Sequence, residues 1–158
     1  MKIERVELPE QHYLYVDREV DFTNPAAIGE AMGSAFGEVF GFIGAQELTP
    51  LSMPMALYLE MPEDGKMRFR GGVFVSAEDA SKAHGSVSAD HIPAGPTFKA
   101  LHVGPYSSLN ETHKALWDHM ATQGISGAMP VWEIYVDDPT AVPENECRTE
   151  ICRLARQT

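Results

Sequence analysis

One order of secondary-structure signals runs twice along this chain: strand, helix, strand, strand. In the first run, His12 to Val20 is β-prone and partly alternating. Asn24-Pro25 then opens a helix. Asn24 suits the N-cap, and Pro25 suits the first helical position, where its missing N–H is no loss. Ile28, Met32, Ala35, Phe36, Val39, Phe40 and Ile43 follow at three- and four-residue steps as one apolar stripe facing a core. Gly44 is expected to end the helix in the left-handed conformation. Gly29, Gly33, Gly37 and Gly41 recur every four residues inside it. Each weakens the helix by up to about 1 kcal/mol against alanine. The row therefore predicts close approach of another backbone, here the sheet. Met55 to Glu60 reads as a strand and residues 62–65 as a turn. Met67 begins the next strand, which Gly71-Gly72 is expected to bend or bulge before Val73-Phe74-Val75.

The following stretch is small, polar and Gly/Pro-bearing, with a short helix expected from Ala77 to Ala83. Residues 77–91 read as the connector between pseudo-repeats 1–76 and 92–158 of a single domain. The second run opens with a strand at Phe98 to Val103, stopped by Gly104-Pro105. Ser108 with Glu111 three residues on predicts a capping box. Leu109, Leu116, Trp117 and Met120 form the helix's apolar face, and Gly124 ends it. Val131 to Val136 and Cys147 to Leu154 are the last two strands. Met53-Pro54 and Met129-Pro130 occupy matching places, which aligns Leu57 with Glu133 and Leu59 with Tyr135. The pattern predicts an α+β fold. Duplicated strand-helix-strand-strand units would form one antiparallel sheet, with helices on one face and a ligand cleft on the other.

The net charge of −11 with no basic run argues against direct nucleic-acid binding. No apolar run approaches the ~18 residues that cross a bilayer, and the charged start is unlike a signal peptide. The expected location is cytoplasmic. Cys147 and Cys152, five residues apart on one strand, would lie roughly 16 Å apart, too far for a disulfide. Both are expected to be free thiols.

Three segments carry a family resemblance. They are Ile92-Pro93-Ala94-Gly95-Pro96, Leu101-His102-Val103-Gly104-Pro105-Tyr106, and Trp132-Glu133-Ile134-Tyr135 before Asp138-Pro139. They resemble the GyrI-like family, the effector-binding domain of AraC- and MerR-type regulators. The resemblance is specific from Ile92 to Leu154 and extends over the first half by plan. It implies a duplicated unit with a concave cleft for small molecules. With no helix-turn-helix segment in view, the chain is similar to the free-standing members. Those include a DNA gyrase inhibitor protein and hydrolases of cyclopropane-bearing natural products. In the family a glutamate in the post-helix strand of the second half contacts cationic ligands or acts in catalysis, and that position matches Glu133.

Glu133 sits between apolar neighbours in mid-strand, where an unpaired charge costs several kcal/mol or takes up a proton. Facing solvent, or pairing with Arg148 or Arg153 on the neighbouring strand, would answer that cost. Alternation places Glu133, Tyr135 and Val131 on one face, and Met55, Leu57 and Leu59 at the equivalent places of the first half. The expected groove is a lone carboxylate among aliphatic and aromatic groups. It suits a lipophilic cation, to which rings add about 0.5–2 kcal/mol. Tyr106 is a cleft-wall phenol or a packing residue, and Tyr13 and Tyr15 belong to the wall or the core. The six histidines show no ligand spacing, and HExxH, CxxC and EF-hand patterns do not occur, so no metal or cofactor is expected. Ser107-Ser108 reads as a helix cap, not a nucleophile. Three functions compete: binding of small apolar, cationic compounds; hydrolysis with Glu133 as general base beside Tyr106 or Tyr135; and an acidic surface contacting a basic partner of the DNA gyrase kind.

Overall fold

The computed structural model describes residues 2–60 and 64–157. The fold is α+β with antiparallel strands. It divides into two compact units, one of Glu10–Pro93 and one of Met1–Pro9 with Ala94–Thr158.

The Glu10–Pro93 unit contains β2 (Gln11–Asp21), α1 (Pro25–Ala45), β3 (Met55–Tyr58), β4 (Lys66–Val75), α2 (Ala77–Ala80) and β5 (Ser88–Ile92). Its strands lie in the order β3-β4-β2-β5. As expected, Asn24 caps α1 by accepting from the Ala27 N–H, with Pro25 at the helix start. The helix end differs. Gly44 stays helical and Glu47 takes the left-handed turn instead, at φ 55°. Ala35, Val39 and Ile43 bury the α1 stripe. Gly29, Gly33, Gly37 and Gly41 do not meet the sheet, because a Cβ on any of them would point into open space. The close approach comes from the sheet's own glycines. A Cβ on Gly71 would lie 2.6 Å from the Ala35 Cβ, so helix and sheet touch there. Pairing of β2 with β4 is uninterrupted from His12↔Val75 to Asp21↔Lys66, so Gly71-Gly72 marks tight packing and not a bulge. The turn expected over residues 62–65 lies partly outside the described residues. Asp64 and Gly65 both have positive φ, at 53° and 74°. β5 is a strand where the connector was expected.

The other unit contains β1 (Ile3–Leu8), β6 (Gly95–Val103), a 3-10 turn (Tyr106–Ser108), α3 (Leu109–Thr122), β7 (Ile125–Tyr135) and β8 (Arg148–Gln157). Its order is β1-β6-β8-β7. Phe98, Ala100, Leu116, Met120, Ile125 and Ile151 form its core beneath α3. Gly124 takes φ 67° after the helix, as expected of a C-terminal glycine. The capping box does not form. Ser108 makes no side-chain cap, and its hydroxyl donates to the Pro105 carbonyl at 2.9 Å.

Cys147 precedes β8 and Cys152 lies within it. Both are buried and free. Burial pushes the Cys152 thiol up to about 12. Among the described residues no helix is long and apolar enough to cross a membrane.

Candidate functional site

β7 carries Glu133 between Trp132 and Ile134. Register pairs Glu133 with Ile151, and Ile151 belongs to the core under α3. Glu133 therefore points to the face that α3 covers, not to the opposite face where the cleft was expected. Its residue is 5% exposed, so the carboxylate must be answered by polar partners. The Tyr135 hydroxyl donates to Oε1 at 2.7 Å, and His113 on α3 brings Nε2 to 2.5 Å from Oε2. The lone carboxylate is thus corrected to a Glu–His–Tyr cluster. Neither arginine weighed at the sequence level is a partner in that cluster. Arg148 binds Asp137, and Arg153 lies over the Trp117 ring, 4.2 Å from its centroid.

Aromatic groups share this face. Tyr106, in the 3-10 turn before α3, meets Tyr135 edge-on with centroids 5.6 Å apart. It is 39% exposed, and its hydroxyl lies 3.6 Å from the Cys147 Sγ. Burial and that thiol push the Tyr106 phenol upward, so it remains a hydrogen-bond donor at neutral pH. Trp117, four residues after His113 and so on the same side of α3, is 47% exposed. The arrangement offers a carboxylate with two hydrogen-bonded neighbours and large rings beside them.

Sequence reasoning missed His113. A signal was present: Leu109, His113, Leu116 and Met120 follow at four-, three- and four-residue steps, so His113 fills an apolar place in the stripe. A polar residue there must find a partner under the helix.

The candidates of the first half lie on a different kind of surface. Met55 and Leu57 pair with Gly72 and Arg70, and Tyr13 and Tyr15 with Phe74 and Gly72, so these side chains face away from α1. Met55, Leu57, Tyr13 and Tyr15 are buried there, while Leu59, beyond the end of β3, is 47% exposed. On this face Arg70 donates to the Tyr13 hydroxyl at 2.8 Å and to Asp90 at 2.7 Å, and lies over the Tyr15 ring. Burial, outweighing Arg70, raises Tyr13 to about 12. Matching the two Met-Pro pairs equated Leu57 with Glu133. The structure places Leu57 away from its helix and Glu133 toward its own. β7 also carries a register irregularity, four residues from Gly127 to Val131 against two from Ala155 to Arg153, and an even offset of this kind does not by itself exchange faces.

A third cluster ties β6 to α3. The His102 Nδ1 lies 2.7 Å from the Thr112 hydroxyl and Nε2 lies 3.0 Å from the Pro105 carbonyl. A carbonyl only accepts, so Nε2 carries a proton and cannot serve as a base for Ser108, 3.3 Å away. The cluster is a structural clasp.

The model of the GyrI-like small molecule binding domain matches residues 1–153. The chain belongs to this family. Its fold is similar to that of the C-terminal domain of EcmrR, with TM-score 0.82 and 21% identity over 99% of this chain and 98% of that one. It is also similar to a hydrolase from Listeria innocua (TM-score 0.65, 18% identity, 98% and 92% covered). A third likeness is to SAV2435, solved bound to tetraphenylphosphonium (TM-score 0.63, 15% identity, 99% and 94% covered). A search of curated proteins finds no match.

Proposed function

We propose that this GyrI-like protein binds small, apolar, cationic molecules, with the Glu133 carboxylate as the anchor, and so sequesters or senses them. One observation carries the reading: a carboxylate 5% exposed on a face that also bears Tyr106, Tyr135 and Trp117. A desolvated carboxylate attracts a diffuse positive charge more strongly than one in water does, and rings add cation–π attraction. The likeness to SAV2435, which was solved with a lipophilic phosphonium, supports the ligand class.

Calorimetric titration with tetraphenylphosphonium tests this. Glu133→Gln keeps the shape and removes the charge, and should weaken binding roughly ten- to hundredfold. Unchanged affinity in that variant would remove Glu133 as the anchor.

Hydrolysis of strained electrophiles is a second reading. It is favoured by the hydrogen bonds that link Glu133 to both an imidazole and a phenol, an acid–base set able to orient water. Turnover abolished by Glu133→Gln, with neutral ligands still bound, would select it.

A further inference from the structure

We infer that the His113 imidazole is a tethered internal partner that competes with ligands for Glu133 and thereby sets both the site's preference and its response to pH. This rests on the reading of Glu133 as anchor.

The imidazole Nε2 already occupies hydrogen-bonding distance of Oε2, and Tyr135 holds Oε1. His113 is partly open, its side chain 28% exposed, while that of Glu133 is 7% exposed. A ligand approaching from solvent therefore meets the ring before the carboxylate. His113 is not among the buried residues of α3, which are Thr112, Leu116 and Met120. A neutral imidazole yields its place for the loss of one hydrogen bond. A protonated one holds a charge-assisted bond, roughly twice as strong. Histidine changes charge around pH 6.5 in general. The protonated ring is the stronger competitor for Glu133, so affinity for a cation of fixed charge rises as pH rises.

Other groups on this face do not supply the same effect. Arg153 keeps its charge through that range, over Trp117. His102 is clasped by Thr112 and Pro105, and His119 packs on Phe98. Burial pushes the Tyr106 phenol upward, and the Tyr135 hydroxyl donates to Oε1 of Glu133. Lys114 and Asp118 pair with each other at the solvent side of α3.

The probe is tetraphenylphosphonium, whose charge does not depend on pH, titrated at pH 8.0 and pH 5.5. If protonated His113 holds the carboxylate about nine-tenths of the time, the native protein binds about tenfold more weakly at pH 5.5. His113→Gln should bind equally at both pH values. Native affinity that is flat with pH, or a drop that persists in His113→Gln, overturns the inference. In that case Glu133→Gln still decides the anchor separately. If Glu133→Gln binds as native does, the anchor itself fails. A ligand-free arm completes the test. The ¹⁵Nε2 resonance of His113 should move when Glu133 becomes glutamine, and an unmoved resonance refutes the pairing.

Discussion

Replacing Gly72 by alanine is expected to unfold the protein or lower its melting temperature by about 10 °C or more. A Cβ at this position would lie 2.1 Å from the Leu14 carbonyl oxygen, and 3.1 Å from both the Leu14 carbonyl carbon and the Tyr15 Cβ. The first obstacle is backbone, and it belongs to the strand that pairs with β4 along its whole length. Relief requires β2 and β4 to part, which loses ladder hydrogen bonds at the centre of the Glu10–Pro93 unit. No truncation of a neighbouring side chain should rescue the variant. Gly71 provides the contrast. Its added Cβ would meet the Ala35 Cβ at 2.6 Å, a side-chain obstacle. Gly71→Ala should destabilise, and adding Ala35→Gly should recover part of the loss, less the helix cost of about 1 kcal/mol for glycine. Thermal unfolding of the single and double variants checks both statements. A Gly72→Ala protein that melts with the native one would mean that β2 and β4 are not packed as described.

Phe98→Ala is expected to cost about 3–5 kcal/mol, a large share of the 5–15 kcal/mol typical of whole proteins. Phe98 is 3% exposed, lies in mid-β6, and packs with Ala100, Leu116, Met120, Ile125 and Ile151. Its ring also meets His119 edge-on, at 5.9 Å. Removing the ring leaves a cavity under α3 that the surrounding strands cannot close, because β6 is paired on both sides, with β1 and β8. The consequence reaches the site. α3 carries His113, and the same core sets its height above Glu133. Phe98→Leu should cost distinctly less. Denaturant unfolding measures both. A loss below about 1 kcal/mol for Phe98→Ala would contradict the packing described.

The repeated order of elements was legible because each helix and strand carries its own local period. Asn24-Pro25 and Gly124 behave as the local chemistry demands. What escaped reading depends on partners distant in sequence. β1 lacks clean alternation and is a strand because β6, nearly a hundred residues on, pairs with it from Ile3↔Ala100 to Leu8↔Gly95. β5 likewise depends on β2. The glycine row of α1 was misread for a related reason: spacing reports that residues share a face, not which face is covered. The shared Met-Pro dipeptide misled because Met53-Pro54 lies before β3 whereas Met129-Pro130 lies inside β7, so matching sequence positions are not matching places in the two strands. Glu133 itself was found through resemblance and through the cost of a charge in mid-strand. His113 has no metal-ligand spacing to announce it; its informative feature is a polar residue in an apolar stripe.

Anomalous diffraction from crystals grown with tetraphenylarsonium, an arsenic-bearing counterpart of the phosphonium, locates the bound cation without assumption. The account predicts an arsenic peak within about 6 Å of the Glu133 carboxylate, the range over which charge and ring attraction act. A peak elsewhere, such as the surface hollow bordered by Arg68, Arg70 and Leu59, with none beside Glu133, would contradict it.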